Sequence, residues 1–271
     1  MQLPDRALPR VTIRVVRVDF SVSDGTPTDV REEISTELQS RIFERDASTD
    51  YLNELANEIA EVRVMGALQN QGYFRAMATA KLAALWSDAK EISVAAAISA
   101  SPGPQYRAGD IRIESADDIV PLEMPAEKLR DLIPLQSGEL FDVERVRTGL
   151  RNLTAAYGRR GYVDMTVEPE FQIEDVDNTI DMVLKVDRQA QYRVGSVEFL
   201  GLSAATQAKL MKSLPKPGEI FDGTRLPEFF KVNRAILPSD VSGDDVKIKH
   251  DLKSKTVAIL FDFRTCPRHP Y

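Results

Sequence analysis

Hydrophobic residues alternate with polar ones from position 11: Val11, Ile13 and Val15, then, past the doubled Val16, Val18 and Phe20. A β-branched stripe of period two is the pattern of a half-buried strand. The period then lengthens. Val30, Ile34, Leu38 and Ile42 recur at helical spacing behind Thr28 or Asp29, either of which can cap the first turn. Behind Asp50, another candidate cap, Leu52, Leu55, Ile59, Val62 and Leu68 mark the buried face of a second helix that Gly72 ends. Residues 74–82 and 91–99 return to extended patterning, separated by a turn at Ser87-Asp88. The predicted order is strand, helix, helix, strand, strand.

Ser101-Pro-Gly-Pro104 breaks the pattern, and the same order begins again. A strand at 106–113 leads to a short helix at 125–132 and a longer one at 142–159. Gly161-Tyr162 stops it, and strands follow at 163–173 and 179–186, joined through Asp177-Asn178. A third copy opens at Tyr192, where two fragments repeat almost letter for letter. Tyr106-Arg-Ala-Gly-Asp-Ile111 matches Tyr192-Arg-Val-Gly-Ser-Val197, and Gly138-Glu-Leu-Phe-Asp142 matches Gly218-Glu-Ile-Phe-Asp222. The two offsets differ because Gly201-Leu202-Ser203 replaces the longer loop 116–124. The last strands are expected at 245–250 and 256–263, turning through Lys253-Ser254.

These patterns predict an α+β chain of three tandem β-α-α-β-β modules, at 11–103, 104–188 and 189–265. Each is expected to be a three-stranded mixed sheet covered on one face by two helices. Gly138 and Gly218 follow a short helix, which points to a turn of positive φ that drops Phe141 and Phe221 between helices and sheet. Asp142 and Asp222 then stand where the next helix needs a cap. Gly72-Tyr73 and Gly161-Tyr162 read as helix stops whose tyrosine rings cover the end of a core.

A length of 271 residues suits two or three such units. The net charge of −7 supplies no overall field for phosphate backbones or anionic lipid, so nucleic acid is not an expected partner. No run approaches the roughly 20 apolar residues of a membrane-spanning helix. Met1 to Arg10 has no apolar core of a secretory signal, which leaves a cytoplasmic protein or one whose signal has been removed. The lone Cys266 forms no internal disulfide and suits either compartment.

Chemistry is sparse. His250 and His269 are the only histidines, and Cys266 with His269 falls short of the three or four ligands zinc takes. Phosphate-cradling loops, H-E-x-x-H pairs and G-x-S-x-G elbows are missing from the sequence. Glu168, Glu170, Glu174, Asp175 and Asp177 could form a carboxylate pair or a calcium site, but they straddle a strand end and a hairpin and read as a solvated rim. Trp86 either anchors a partner or packs on a neighbouring module. No catalytic residue, cofactor or metal is expected. A sheet covered on one face keeps open edges whose N–H and C=O groups can pair with an incoming extended segment.

Copies two and three resemble POTRA domains, the polypeptide-transport-associated modules that precede the β-barrel in outer-membrane assembly proteins of the BamA and TamA type. Copy two carries the resemblance in Tyr106-Arg-Ala-Gly-Asp-Ile-Arg-Ile, Gly138-Glu-Leu-Phe-Asp, Leu153 to Tyr157 and Gly161-Tyr162-Val163. Copy three carries it in Tyr192-Arg-Val-Gly-Ser-Val-Glu-Phe-Leu-Gly201 and Gly218-Glu-Ile-Phe-Asp. Copy one keeps the element order and Gln71-Gly72-Tyr73-Phe74 without the Gly-x-Phe turn. Copy three has Asn233-Arg-Ala-Ile-Leu-Pro238 in place of the Gly-Tyr stop. Counted over all three copies, the resemblance spans 11–263.

The resemblance implies a periplasmic location associated with the outer membrane. It also implies an outer-membrane β-barrel partner, in cis or in trans, and unfolded outer-membrane or secreted polypeptides or accessory proteins bound along sheet edges. It points to the second strand of each module as the client edge, above all Val163, Met165, Thr166, Val167 and Phe171. The expected function is a non-enzymatic polypeptide-binding scaffold that works by β-augmentation. A rigid docking stalk is the alternative, and an enzyme would have to use Glu168 and Glu170.

Overall fold

The computed structural model describes residues 10–21, 25–46, 50–88, 90–238, 241 and 245–264; the segment before Arg10, Cys266 and His269 lie outside them. Three mixed sheets with flanking helices follow one another along the chain. They pack as two compact units, one of Met1–Ile111, Leu135–Arg147 and Phe171–Met182, the other of Arg112–Pro134, Thr148–Glu170 and Val183–Tyr271. The division runs through the second module, so one end of it packs with the first module and the other end with the third.

The first module comprises β1 (Arg10–Phe20), α1 (Thr28–Ser40), β2 (Ile42–Asp46), α2 (Tyr51–Glu58), a π-helical turn (Ile59–Val64), α3 (Met65–Asn70), β3 (Met77–Ser87) and β4 (Glu91–Ser101). Its sheet has four strands, in the order β2-β1-β4-β3, where three were expected. Ile42 does not extend the first helix. It opens β2, which pairs antiparallel with β1 and turns Phe43 into the core. β1 runs parallel to β4, and a bulge between Val15 and Arg17 absorbs Val16, which explains the doubled valine: Ile13 and Val15 before it and Val18 and Phe20 after it all pack inward.

The second helix is also rephased. Its π turn adds a residue to one turn, so Val64 is buried and Val62, expected inside, is 57% exposed. Neither expected cap forms in this module: Pro27 occupies the first N-cap, and the Asp50 side chain accepts from the Asn53 amide instead of a backbone N–H.

The second module holds β5 (Arg107–Ser115), α4 (Ala126–Arg130), α5 (Val143–Gly158), β6 (Thr166–Glu174) and β7 (Thr179–Asp187), with sheet order β5-β7-β6. The third holds β8 (Arg193–Leu200), α6 (Ala204–Leu210), a 3₁₀ turn (Met211–Ser213), α7 (Arg225–Val232), β9 (Val246–Asp251) and β10 (Thr256–Asp262), ordered β8-β10-β9. There β10 is parallel to β8 and antiparallel to β9.

The repeated turns have the predicted geometry. Gly138 and Gly218 adopt φ of +84° and +89°, and Phe141 and Phe221 are buried beyond them. The Asp142 carboxylate accepts the Arg145 N–H at 3.0 Å, capping α5, and Asp222 accepts from Thr224 N–H at 3.0 Å just ahead of α7. Among the described residues no helix is long and apolar enough to cross a membrane.

Candidate interaction edges and module junctions

Both junctions are built from the repeated residues. The peptide N–H of Tyr106 donates to the Gly72 carbonyl at 2.7 Å, and that of Tyr192 donates to the Gly161 carbonyl at 2.9 Å. The preceding glutamine reinforces each: Gln105 donates to the Gln71 carbonyl at 2.8 Å, Gln191 to the Arg160 carbonyl at 2.9 Å. The carbonyl of each tyrosine then accepts from the buried phenylalanine of the Gly-Glu-x-Phe turn, Phe141 or Phe221, at 3.0 Å. The helix stop of one module, the first residue pair of the next and the next module's turn are thus joined in one backbone network.

Side chains then distinguish the two joints. At the first, Phe74 meets Phe141 and Phe171 with ring centroids 5.3 and 5.7 Å away. At the second, Val163 packs against the core of the third module. Tyr106 donates its hydroxyl to Asp175 at 2.7 Å, with Arg75 on the other carboxylate oxygen at 3.1 Å. Tyr192 donates to Asp164 at 2.6 Å, with His250 Nδ1 3.3 Å from that carboxylate. The carboxylate and its nitrogen-bearing partner have exchanged modules between the joints. The aspartates hold both phenols above their ordinary range because ionisation would lose the hydrogen bond and set two anions together; Tyr192 is pushed up to about 12. A phenol whose folded pKa is raised contributes stability that is complete below about pH 10 and fades as pH climbs through about 12. Unfolding midpoints followed over that window are expected to fall more steeply for the native chain than for Tyr192→Phe; parallel curves would contradict the assignment.

Each sheet ends in an open strand, β3, β6 or β9, and the three differ in chemistry. The opposite margins are partly occupied: β2 covers β1, while Arg107 bridges Leu140 and Arg193 bridges Ile220 beside β5 and β8. β3 is eleven residues long, Met-Ala-Thr-Ala-Lys-Leu-Ala-Ala-Leu-Trp-Ser, with one charge and no proline. Met77, Leu85 and Trp86 on it are each more than half exposed, so Trp86 is not packed away under a neighbour. β6 bears Glu168, Glu170 and Glu174 on its exposed positions and is interrupted by Pro169. Charges and proline are the devices that blunt an edge, whereas a long apolar edge invites pairing.

The five residues singled out in the sequence are split by the structure. Thr166 and Val167 lie in β6, at the sheet edge. Val163 and Met165 precede the strand, Val163 facing the third module's core and Met165 buried. Phe171 is in β6, but its ring is committed to the Phe74 and Phe141 trio. The five carboxylates from Glu168 to Asp177 are exposed, and among the described residues no three His, Cys, Asp or Glu side chains converge as metal ligands would. The joint residues Gln105, Gln191, Arg75 and Asp164 were missed, although the Gln-Tyr pair does recur in the sequence, at 105–106 and 191–192.

Residues 106–189 match the family model POTRA, described as surface antigen variable number repeat. The crystal structure of Haemophilus influenzae BamA POTRA3-5 aligns with 94% of this chain and 98% of its own, at 16% identity and a TM-score of 0.64. The chain has the fold of a POTRA array. POTRA1-3 of the periplasmic domain of Omp85 from Anabaena aligns with 94% of the array and 95% of its own chain, at 19% identity and a TM-score of 0.35. BamA from Haemophilus ducreyi lacking POTRA domains 1-3 aligns with 58% of the array and 29% of its own chain, at 16% identity and a TM-score of 0.48.

Proposed function

We propose that the array is a periplasmic, non-enzymatic scaffold for outer-membrane protein assembly or protein translocation. It takes up extended polypeptides by adding a strand at its sheet edges and works beside an outer-membrane β-barrel, in cis or in trans. The modules act as units bounded near 11–103, 104–188 and 189–265. The observation that carries this reading is that every sheet keeps its penultimate strand in sequence at an open edge. Of the three, β3 is the principal client edge, because it is the longest, the most apolar and free of proline. The β6 edge around Thr166 and Val167 is weaker, since Pro169 removes a donor at its centre.

Adjacent residues of an edge strand point their N–H groups in opposite directions, one into the ladder and one to solvent. Proline at Ala80 and proline at Lys81 therefore give two different results. The variant that loses the solvent-facing N–H binds extended peptides at least about tenfold more weakly with its unfolding midpoint kept, and the other is destabilised. Fluorescence anisotropy with an unfolded outer-membrane protein fragment checks this; two stable variants with native affinity would remove β3 from the proposal.

A second reading, a rigid stalk that positions a barrel or a soluble partner, is favoured by the hydrogen-bonded joints. Capture from periplasmic extract separates the two: many unfolded clients support the edge reading, and one stoichiometric folded partner supports the stalk.

A further inference from the structure

The third module reverses the charge of the chain. Residues 189–265 contain 12 Lys or Arg and 9 Asp or Glu, while the whole sequence has 35 and 42. Four of those lysines, Lys247, Lys249, Lys253 and Lys255, fall within one hairpin, all exposed, and none forms an ion pair with a described residue. Many of the arginines in the first two modules are paired with a carboxylate, among them Arg14, Arg45, Arg75 and Arg188. Asp251 and Asp262 lie near Lys249 and Lys247 without closing an ion pair, and Asp262 is held by Arg264, so an excess of cations on an open edge is a local property of β9 and its turn.

Register fixes where two of them stand. Val246, Ile248 and His250 lie opposite Phe261, Ile259 and Val257, whose side chains are buried, so Lys247 and Lys249 lie on the outer face, opposite Leu260 and Ala258. Two residues along a strand advance about 6.8 Å, the same repeat that separates alternate side chains of a paired extended segment. On β6, the corresponding edge of the second module, the exposed positions carry glutamates, so the same segment would be repelled there.

We propose that the open edge of β9 docks an extended acidic polypeptide segment with carboxylates at alternate positions, paired with Lys247 and Lys249 and flanked by Lys253 and Lys255 at the hairpin tip. The proposal deepens the edge-binding reading and rests on it: the chain selects by charge at its third module and by apolar surface at its first. An anionic membrane would meet the same cations, but only Leu252 stands at the tip to enter it, and a strand edge with cations in period two matches a polypeptide.

The test uses the whole 271-residue chain and two labelled peptides of equal length, one alternating Glu and Thr, the other Gln and Thr, with phosphatidylglycerol vesicles as a third probe. At low ionic strength the acidic peptide is expected to bind about 5–30-fold tighter than the neutral one, the sum of a few exposed ion pairs. Lys247→Gln with Lys249→Gln should abolish that preference while leaving the circular dichroism spectrum and the binding of apolar segments at β3 unchanged. Equal affinities for the two peptides overturn the charge inference and leave edge binding standing. An acidic preference that survives in the double variant, or vesicle binding without peptide binding, overturns it as well. Failure of both peptides and of the β3 client to bind would take the edge reading down with it.

Discussion

Replacing Phe261 with alanine is expected to cost about 3–5 kcal/mol and to leave the third module near its unfolding threshold, since a small module has only about 5–15 kcal/mol in total. Phe261 is fully buried on β10, with the rings of Phe199 and Phe229 at 4.7 and 4.9 Å and those of Phe230 and Phe263 at 6.1 Å. It is the hub of a core drawn from β8, α6, α7 and β10 and from flanking and loop residues such as Tyr192, Leu214, Phe221 and Leu237. Truncation opens a cavity bounded by four aromatic rings, which cannot collapse into it without losing their own contacts. Phe261→Leu keeps most of the volume and should cost about 1.5 kcal/mol or less. Urea unfolding followed by hydrogen exchange should place the loss in residues of the third module, with the Val94 and Ile98 amides of the first retaining their protection. A loss below about 1 kcal/mol for the alanine variant would show that this ring cluster does not organise the module.

The second large effect concerns the joint. Gly138 and Gly161 have the same φ, +84°, but different surroundings. A Cβ at Gly138 meets nothing within 4 Å, whereas one at Gly161 would stand 2.6 Å from the Tyr192 carbonyl oxygen and 3.0 Å from an Ile220 methyl. Gly138→Ala therefore carries only the left-handed backbone cost, about 1–2 kcal/mol. Gly161→Ala adds the clash and strains the hydrogen bond that the Tyr192 N–H donates, roughly 1–3 kcal/mol more. The extra cost should appear as loosening of the third module from the second: faster exchange of the Tyr192 amide and new proteolytic cleavage near Gln189, with both cores intact. Equal behaviour of the two variants would mean the joint is held by something other than this backbone contact.

The joints explain why the sequence revealed the Gly-Tyr and Tyr-Arg-x-Gly repeats before their purpose. The sequence places Gly-Tyr within its own module, the glycine as a helix stop and the tyrosine as a lid, and Tyr-Arg-x-Gly only as the opening of a strand. Tyr162 does cover its core, edge-on to Tyr157 at 5.9 Å, with its hydroxyl donating to Glu123. Tyr106 and Tyr192, by contrast, open their strands by binding the module before. A one-dimensional repeat shows that residues recur at fixed spacing; it does not show whether they meet within one repeat or across two.

The client edge shows the same limit. The pattern of 163–173 is that of a half-buried strand, and Thr166 and Val167 do sit at an edge. Val163, Met165 and Phe171 are apolar because they serve packing, two of them at joints. Apolar residues near an edge read alike whether they await a partner or already have one. What separates β3 from β6 is exposure, and exposure depends on which neighbours the fold brings alongside.

Local patterning by itself determined the α+β class, three successive mixed sheets, the two Gly-x-Phe turns and the capping of α5 by Asp142, because alternation, helical period and positive-φ glycine act over a few residues. Tertiary structure alone decided the fourth strand at Ile42, the π turn that exchanged Val62 for Val64, the joints through Gly72 and Gly161, and the different characters of β3, β6 and β9. Those outcomes turn on contacts between segments distant in the chain, where burial of Phe43 or of Val64 outweighs the local preference of the residues around them.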